Sequence, residues 1–347
     1  MIASVTPEDP ERDWTAPGAY EVDAGIYRIP LPLPQDGLRA VNVYAVQDGD
    51  GVVLVDSGWA IAEARALLEQ ALKAIGSGPS EITRILVTHA HRDHYTLGVA
   101  LRRDFGVPVE VGRGEAETLA LAANADVEPW TGLVGQLGRG GGGALVREML
   151  STVPSEHVAQ DWAPPSAWLD PPCDITLTDR VWQVVPTPGH TRGHVVFVDA
   201  SRDVMFAGDH VLPQITPSIG FEQSPAESPL TSYLGSLRRV RELPDRRLLA
   251  AHGPVTGRVH ARVDELLAHH DLRLRQVADA VQETGAGTAL VVAQQLRWTR
   301  RLRRFDELDL FSRCLAVTET LAHLEVLAAT KELRRTVMED VEYYRPT

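Results

Sequence analysis

Short apolar segments rich in β-branched residues alternate with polar turns along much of the chain. The segments Ile26–Ile29, Val41–Val46 and Val52–Val55 have the composition of strands, and the periodicity of Ala60–Ile75 predicts an amphipathic helix. Further strands are predicted at Ile85–Thr88, Val107–Val111, Val181–Pro186, Val195–Asp199, Val204–Ala207 and Leu248–Ala251, with a helix at Tyr95–Phe105. Strands and helices that alternate over two halves of a chain predict a layered α/β sandwich.

Residues 115–170 interrupt this alternation. They contain a glycine run, Gly138–Gly143, that is broken only by Arg139, with helical patches on each side. Long inserts in compact domains are usually either functional covers of a site or flexible excursions. We expect a lid-like insert, with contact to the substrate left open.

The segment 258–347 has a different organisation, and we expect it to be a separate small domain after a catalytic domain of residues 1–257. Helical periodicity covers Val259–Glu283, Ala289–Leu296 and Leu315–Ala329. Glu332–Val337 and Val341–Tyr344 then have the pattern of a hairpin. Helices followed by a hairpin suggest a winged helix.

Charge is distributed unevenly over the 347 residues, which carry a formal net charge of −13. The segment 258–347 is neutral, so the first 257 residues hold the acidic excess. Such a surface disfavours nucleic acid as a partner. The cluster Arg297–Arg304 with Trp298 points the other way, but Asp306, Glu307 and Asp309 follow at once and could pair with the arginines.

Targeting and redox features are few. No apolar run approaches the ~20 residues that span a bilayer, and the acidic, Pro-rich start lacks the layout of a secretion signal. Cys173 and Cys314 are too far apart in sequence to suggest a disulfide framework. We expect a cytoplasmic protein without a membrane partner.

The segment Thr88-His-Ala-His-Arg-Asp-His94 carries the strongest chemical signal. Three His and one Asp directly after an apolar strand would be costly to bury without partners, so water or a metal must satisfy them. His89 and His91 alternate and therefore point the same way from an extended loop. Asp93 and His94 follow a turn and could face a second point nearby, which would separate the ligands of two adjacent metals.

Four other fragments place polar residues at similar strand-to-loop junctions. Asp56 ends Leu54-Val-Asp-Ser-Gly58, and His190 lies in Thr187-Pro-Gly-His-Thr-Arg-Gly-His194. Asp209 closes Phe206-Ala-Gly-Asp209, and His252 opens Ala251-His-Gly-Pro254. Loops at strand ends commonly hold binding and catalytic groups.

In the order and spacing of these five motifs, residues 20–257 resemble the metallo-β-lactamase superfamily. The resemblance implies a four-layer αββα sandwich. It also implies one metal bound by His89, His91 and His190, a second bound by Asp93, His94 and His252, and Asp209 as a bridge, with Asp56 as an outer support. The tail is similar to that of the β-lactamase-like protein 2 branch, where Thr320–Leu327 matches the final helix.

Ligand chemistry favours zinc, two ions per chain, because imidazoles and carboxylates suit it; iron and manganese are the alternatives. Two such ions could hold a bridging hydroxide, with Asp93 passing a proton to the leaving group and His210 as a proton relay. His194 is expected to support rather than to bind. Tyr95, His260, His269, His270 and His323 are expected to be structural, surface or capping residues.

We therefore expect hydrolysis of an ester, thioester or lactone, with a small acyl compound as the substrate. Leu119, Trp130, Leu133 and Ile219 offer apolar contacts for an acyl group. The alternatives are a phosphodiesterase or ribonuclease, a β-lactamase, and a binding module without catalysis. A homodimer is the alternative to a monomer, because the superfamily commonly forms dimers.

Overall fold

Two β-sheets form the centre of the molecule. The computed structural model describes residues 4–34, 37–152 and 157–347. In the larger sheet, spatial order follows chain order: β1 (Thr6–Pro7), β2 (Tyr20–Asp23), β3 (Ile26–Pro32), β4 (Ala40–Asp48), β5 (Gly51–Val55), β6 (Ile82–Val87), β7 (Val109–Gly112) and β8 (Ala167–Leu169). The pairs from β2–β3 to β4–β5 are antiparallel, and those from β5–β6 to β7–β8 are parallel.

The smaller sheet contains the later strands in the order β13-β12-β11-β10-β9. These strands are β9 (Cys173–Thr176), β10 (Val181–Pro186), β11 (Val195–Asp199), β12 (Val204–Gly208) and β13 (Arg247–Ala250). The helices are α1 (Ala62–Ala74), α2 (Arg92–Phe105), α3 (Ala116–Ala122), α4 (Thr131–Arg139), α5 (Gly143–Thr152), α6 (Pro229–Glu242), α7 (Val259–Thr284), α8 (Ala289–Gln295) and α9 (Leu310–Ala329).

Three apolar layers hold the sandwich together. Between the sheets, Tyr44 of β4 and Phe206 of β12 meet edge to face, with ring centroids 5.4 Å apart. On the outer face of the larger sheet, α1 packs through Leu68. On the outer face of the smaller sheet, α6 and α7 pack through residues such as Tyr233 and Val263. This confirms the α/β sandwich, with layers in the order α, β, β, α.

The predicted elements differ from the observed ones mainly where the pattern is short. Strands β1, β2, β8 and β9 and helix α6 were not predicted. Helix α6 follows a segment rich in proline and serine, and Pro229 occupies its first turn, where a missing N–H costs nothing. Its apolar residues face the smaller sheet, so tertiary packing stabilises a helix that the local composition does not predict.

The insert contributes to a fourth apolar cluster rather than forming an open loop. Leu133 and Leu137 of α4 and Met149 of α5 share this cluster with α8 and α9. The glycine run explains the close approach: Gly141 has φ 79°, and a Cβ there would lie 2.7 Å from Thr288 Oγ1. A side chain at that position would separate the insert from the C-terminal helices. The insert's role as a lid stays a prediction.

The C-terminal segment has the predicted order of elements. After α7, α8 and α9, an antiparallel hairpin is formed by β14 (Leu333–Met338) and β15 (Val341–Pro346). The chain returns to α8 through Tyr344, whose backbone pairs with Gly287. The winged-helix assignment and the boundary at residue 258 remain predictions. Among the described helices, none combines the length and apolar character that a membrane span requires.

Candidate metal centre

The predicted ligands meet at one edge of the two sheets. His89 and His91 follow β6, and Asp93 and His94 occupy the first turn of α2. His190, Asp209 and His252 come from the loops after β10, β12 and β13. Strands from both sheets therefore end at the same place, and their loops bring distant residues together.

The first group is made by His89, His91 and His190. His89 Nε2 lies 3.0 Å from His91 Nδ1, and His190 Nε2 lies 3.2 and 3.1 Å from these two atoms. Asp209 belongs to the same group, with Oδ2 3.4 Å from His190 Nε2. These are four donor atoms around one point.

The second group is made by Asp93, His94 and His252. Asp93 Oδ2 lies 3.4 Å from Nε2 of both histidines. The other oxygen of Asp209, Oδ1, lies 3.3 Å from His252 Nε2 and 3.7 Å from His94 Nε2. Asp209 thus presents one oxygen to each group.

The donor sets fit divalent metal ions. Zinc–nitrogen bonds of ~2.0–2.1 Å in a tetrahedron place the ligand atoms ~3.4 Å apart, close to the separations found. In addition, His94 Nε2, His252 Nε2 and Asp209 Oδ1 are buried without any hydrogen-bond partner. Buried polar atoms normally have partners, so three at one point indicate a ligand.

The second nitrogen of each histidine finds an oxygen acceptor. For the five histidines these acceptors are Thr88 Oγ1 (His89, 3.0 Å), the Phe221 carbonyl (His91, 2.5 Å), Asp56 Oδ2 (His94, 2.8 Å), the Ser218 carbonyl (His190, 2.6 Å) and the Ala40 carbonyl (His252, 2.7 Å). Such partners fix the tautomer and leave the lone pair of the other nitrogen facing the metal. Of these acceptors, only Asp56 was predicted from the sequence.

Burial sets the protonation of the first group. It lowers the pKa of His91 to about 3 and also lowers the pKa of His89 and His190. Burial alone would raise the pKa of Asp93, but the neighbouring His94 and His252 lower it well below its usual range. At neutral pH His89, His91 and His190 are therefore neutral imidazoles and Asp93 is an ionised carboxylate, the forms that bind metals. Burial alone would lower the pKa of His94 and His252, but the charges of Asp93 and Asp209 raise it.

Asp56 and His194 hold the ligands without belonging to either donor group. Asp56 Oδ1 accepts a hydrogen bond from the Thr88 backbone N–H at 2.8 Å, which anchors the His89–His91 loop. His194 Nε2 accepts from the Asp209 N–H at 3.2 Å, and its ring stacks on His89. Both residues thus restrict the positions of ligand loops.

His210 lies behind Asp209 and is completely buried. Its ring is 6.0 Å from the ring of His194 and 5.2 Å from that of Tyr233. Burial lowers the pKa of His210 to about 3, so the imidazole is neutral at physiological pH. Its predicted role as a proton relay stays a prediction.

A loop over residues 218–223, the support loop, holds two ligands at once. It supplies the carbonyls of Ser218 and Phe221 that accept from His190 and His91. Gln136 of α4 donates to the Gly220 carbonyl at 2.6 Å. The Phe221 ring contacts Trp130 of the insert and Phe311 of α9, with centroids 6.4 and 5.7 Å away. The insert and the C-terminal segment therefore support the metal centre indirectly.

Two buried carboxyl groups lie at the support loop, Glu222 within it and Glu115 in the turn after β7. Glu115 accepts hydrogen bonds from Thr191 and from the Gly193 N–H, and Glu222 accepts from Thr118 Oγ1 at 2.9 Å. One oxygen of each carboxyl group has no partner. Burial raises the pKa of Glu115 to about 7, and burial together with the charge of Glu115 raises that of Glu222 to about 8.

These pKa values predict a pH-dependent cost in stability. When the pKa of a carboxyl group is higher in the folded protein than its unfolded value of about 4.5, the free energy of unfolding falls as pH rises from there to about 8. Glu222→Gln keeps an acceptor for Thr118 and removes the charge. We expect the Tm of this variant to exceed that of the wild type by an amount that grows from pH 5 to pH 8. Each 1 kcal/mol of difference in the free energy of unfolding corresponds to about 2–4 °C. Calorimetry at several pH values measures this, and a constant Tm difference would refute it.

Some residues that were expected to be surface or capping groups are buried. His270 of α7 and His323 of α9 stack between their helices, with His270 Nδ1 3.1 Å from His323 Nε2. Their expected placement at the surface is wrong, because polar periodicity does not distinguish a paired buried imidazole from an exposed one. Leu119, Leu133 and Ile219, expected near the substrate, are at most 4 % exposed and belong to apolar clusters.

Comparison with known proteins identifies the family. Residues 36–252 match the model of the Metallo-beta-lactamase superfamily, so the chain belongs to that superfamily of metal-dependent hydrolases. It is 26% identical over 321 residues to a protein from Bacillus subtilis named probable metallo-hydrolase YqjP, covering 88% of this chain and 92% of the relative. The human acyl-coenzyme A thioesterase MBLAC2 is 26% identical over 231 residues, covering 65% and 75% of the two chains.

The similarity extends to solved structures. A crystal structure of a beta-lactamase domain protein from Burkholderia ambifaria superposes with a TM-score of 0.78 at 28% sequence identity. It covers 95% of this chain and 94% of its own, so the likeness includes the C-terminal helices. The chain is therefore a metallo-β-lactamase-fold enzyme with a His/Asp site suited to metal ions.

Proposed function

We propose that this protein is a dinuclear zinc hydrolase that cleaves an ester, thioester or lactone. The observation that carries the proposal is Asp209, whose two oxygens face two separate donor groups. A shared carboxylate between nitrogen-rich sets suits two divalent ions held close together. The thioesterase name of MBLAC2 supports acyl chemistry for this chain.

Residues around the site hold the metal-ligating side chains in place. Bound divalent ions supply a nucleophile at neutral pH, by lowering the pKa of water to ~7, and a Lewis acid for the substrate carbonyl. Bulk water does not reach the side chains of His89 and His94, because neither has exposed surface. The carbonyls of Ser218, Phe221 and Ala40 hold three ligand rings in one orientation.

Asp93 is the candidate for proton transfer. Its side chain is 11% exposed, more than His94 at 0% or His252 at 2%. Oδ2 faces the two histidines, which leaves Oδ1 for a proton that moves toward the leaving group. We keep His210 as a second candidate in a relay, although its buried imidazole is neutral.

Aromatic side chains favour an acyl group over a phosphodiester. Phe221 lies 5.7 Å, centroid to centroid, from His91, the least buried histidine ligand, and Trp130 extends the same surface. Both are only partly buried, as is Trp59, which stacks under Arg92. Apolar walls with few polar groups are typical of sites for small acyl or aryl groups.

The test is a hydrolysis panel on zinc-loaded protein with thioesters, lactones, aryl esters, bis-para-nitrophenyl phosphate and a cephalosporin. We expect kcat/KM for the best acyl substrate to exceed that for the phosphodiester by at least ~100-fold, equivalent to ~2.7 kcal/mol. Comparable rates, or faster phosphodiester cleavage, would refute the acyl assignment. Preference for the cephalosporin would identify a β-lactamase instead.

A further inference from the structure

A strongly basic turn lies at residues 297–304, here named the arginine loop. Five arginines in it are exposed: Arg297, Arg300, Arg301, Arg303 and Arg304. Leu302 at its tip is 69% exposed. In a chain of net charge −13, this concentration of positive charge is local and needs its own explanation.

The acidic residues that follow do not neutralise the loop. Within the described residues, Arg304 pairs with Asp306 at 3.2 Å, whereas no carboxylate lies within 4.0 Å of the other four guanidinium groups. Asp309 caps α9 by accepting from the Ser312 N–H, and Glu307 accepts from the Arg304 backbone. The expected pairing of the arginines with these acids is therefore wrong for four of the five.

The arginine loop is held in a defined conformation. Trp298 and Arg303 exchange two backbone hydrogen bonds of 2.9 and 2.8 Å, and Thr299 and Leu302 adopt positive φ values of 62° and 52°. The indole of Trp298 donates to the Ala293 carbonyl at 2.9 Å. Arg273 covers the same ring at 4.2 Å. The turn thus presents its arginines from a fixed base.

The arginine loop adjoins the segment that leaves the metal centre after Asp209. Arg300 donates to the Gln214 carbonyl, and Arg262 of α7 donates to the Leu212 carbonyl at 2.6 Å. Pro213 in turn packs against Gly253, since a Cβ at Gly253 would lie 2.7 Å from its ring. Gly253 follows the ligand His252 directly, so the arginine loop is connected through Gln214 and Pro213 to a loop that bears a ligand.

We propose that the arginine loop binds the phosphate groups of a phosphorylated thiol leaving group, so that the substrate is an acyl thioester of a coenzyme A-like carrier. The inference rests on the proposed acyl hydrolysis. Guanidinium groups recognise phosphates through paired charge-assisted hydrogen bonds. The positive charge of the arginine loop would also attract such a substrate to a protein whose net negative charge otherwise repels anions.

The test compares acetyl-coenzyme A with S-acetylpantetheine, which has the same acyl group and thiol but no phosphate. In R301Q/R303Q we expect KM for acetyl-coenzyme A to rise about tenfold at low salt, with kcat and all S-acetylpantetheine parameters unchanged. The matched control is R334Q/R345Q, which removes two exposed arginines from β14 and β15. S-acetyl-4′-phosphopantetheine has the thiol group that carrier proteins bear. Its KM in the same variants distinguishes a coenzyme A substrate from a carrier-protein substrate.

Equal KM values for acetyl-coenzyme A in the two double variants would overturn the inference while leaving acyl hydrolysis intact. Hydrolysis of no ester, thioester or lactone would overturn the proposed function instead. Calorimetry with coenzyme A alone then decides: a Kd that rises only in R301Q/R303Q supports phosphate binding, and absent or unaltered binding refutes it. Submicromolar binding of single-stranded RNA that only this variant loses, with coenzyme A unaffected, would also overturn it.

Discussion

Asp209→Ala should reduce the metal content of the purified protein, which we propose to be two ions per chain, to one or none and lower hydrolysis by at least ~1,000-fold, about 4 kcal/mol. The reason is geometric. Asp209 Oδ2 completes the group of His190, and Oδ1 completes the group of His252, so one substitution removes a ligand from both. Elemental analysis and kcat/KM on the best acyl substrate measure the two effects.

His194→Ala is the matched comparison for that variant. His194 touches Asp209 only through its backbone N–H, at 3.2 Å, and lies in neither donor group. Changes to such supporting residues typically cost ~10–100-fold in metal affinity or activity. One metal per wild-type chain, unchanged in Asp209→Ala, would refute the bridge. Complete inactivity of His194→Ala, equal to that of His190→Ala, would make His194 a ligand.

Asp93→Asn should lower kcat by ~100–10,000-fold for an alkyl ester and much less for a para-nitrophenyl ester. Asparagine keeps an oxygen near His94 and His252 but carries no proton to the leaving group. Nitrophenolate departs without protonation, whereas an alkoxide needs it. The measurement is kcat on both ester types with metal content determined for each preparation.

Asp104→Asn is the control, because Asp104 lies on the same helix, α2, and pairs at the surface with Arg65. Its kinetics should match the wild type on both esters. Equal losses on both leaving groups in Asp93→Asn, at full metal content, would contradict proton transfer by Asp93. Asp93 would then serve only as part of the donor group with His94 and His252.

The layered α/β sandwich could be predicted because its central strands have strong apolar patterns, whereas the αββα order of its layers was implied by the resemblance to the metallo-β-lactamase superfamily. His89, His190 and Asp209 each follow a strand that the pattern identifies, so their convergence follows from the layered fold. Helix α2 begins at Arg92 rather than at the predicted Tyr95, so Asp93 and His94 lie in its first turn instead of in a turn before it.

The supports of the site could not be predicted in the same way. The acceptors of His91, His190 and His252 are backbone carbonyls at Phe221, Ser218 and Ala40, and any residue type carries a carbonyl. Glu115 and Glu222 lie far apart in sequence, and only the folded chain couples them electrostatically. Residue identity indicates ligands, whereas these supports depend on the path of the backbone.

The support loop makes the metal centre sensitive to parts of the chain that carry no ligand. The Phe221 carbonyl accepts a hydrogen bond from His91, and the Phe221 ring contacts the rings of Trp130 and Phe311. The family match ends at residue 252, before the helix α9 that bears Phe311. A graft that joins the ligand-bearing part to the tail of another relative would therefore change the packing behind the His91 acceptor while it keeps every ligand.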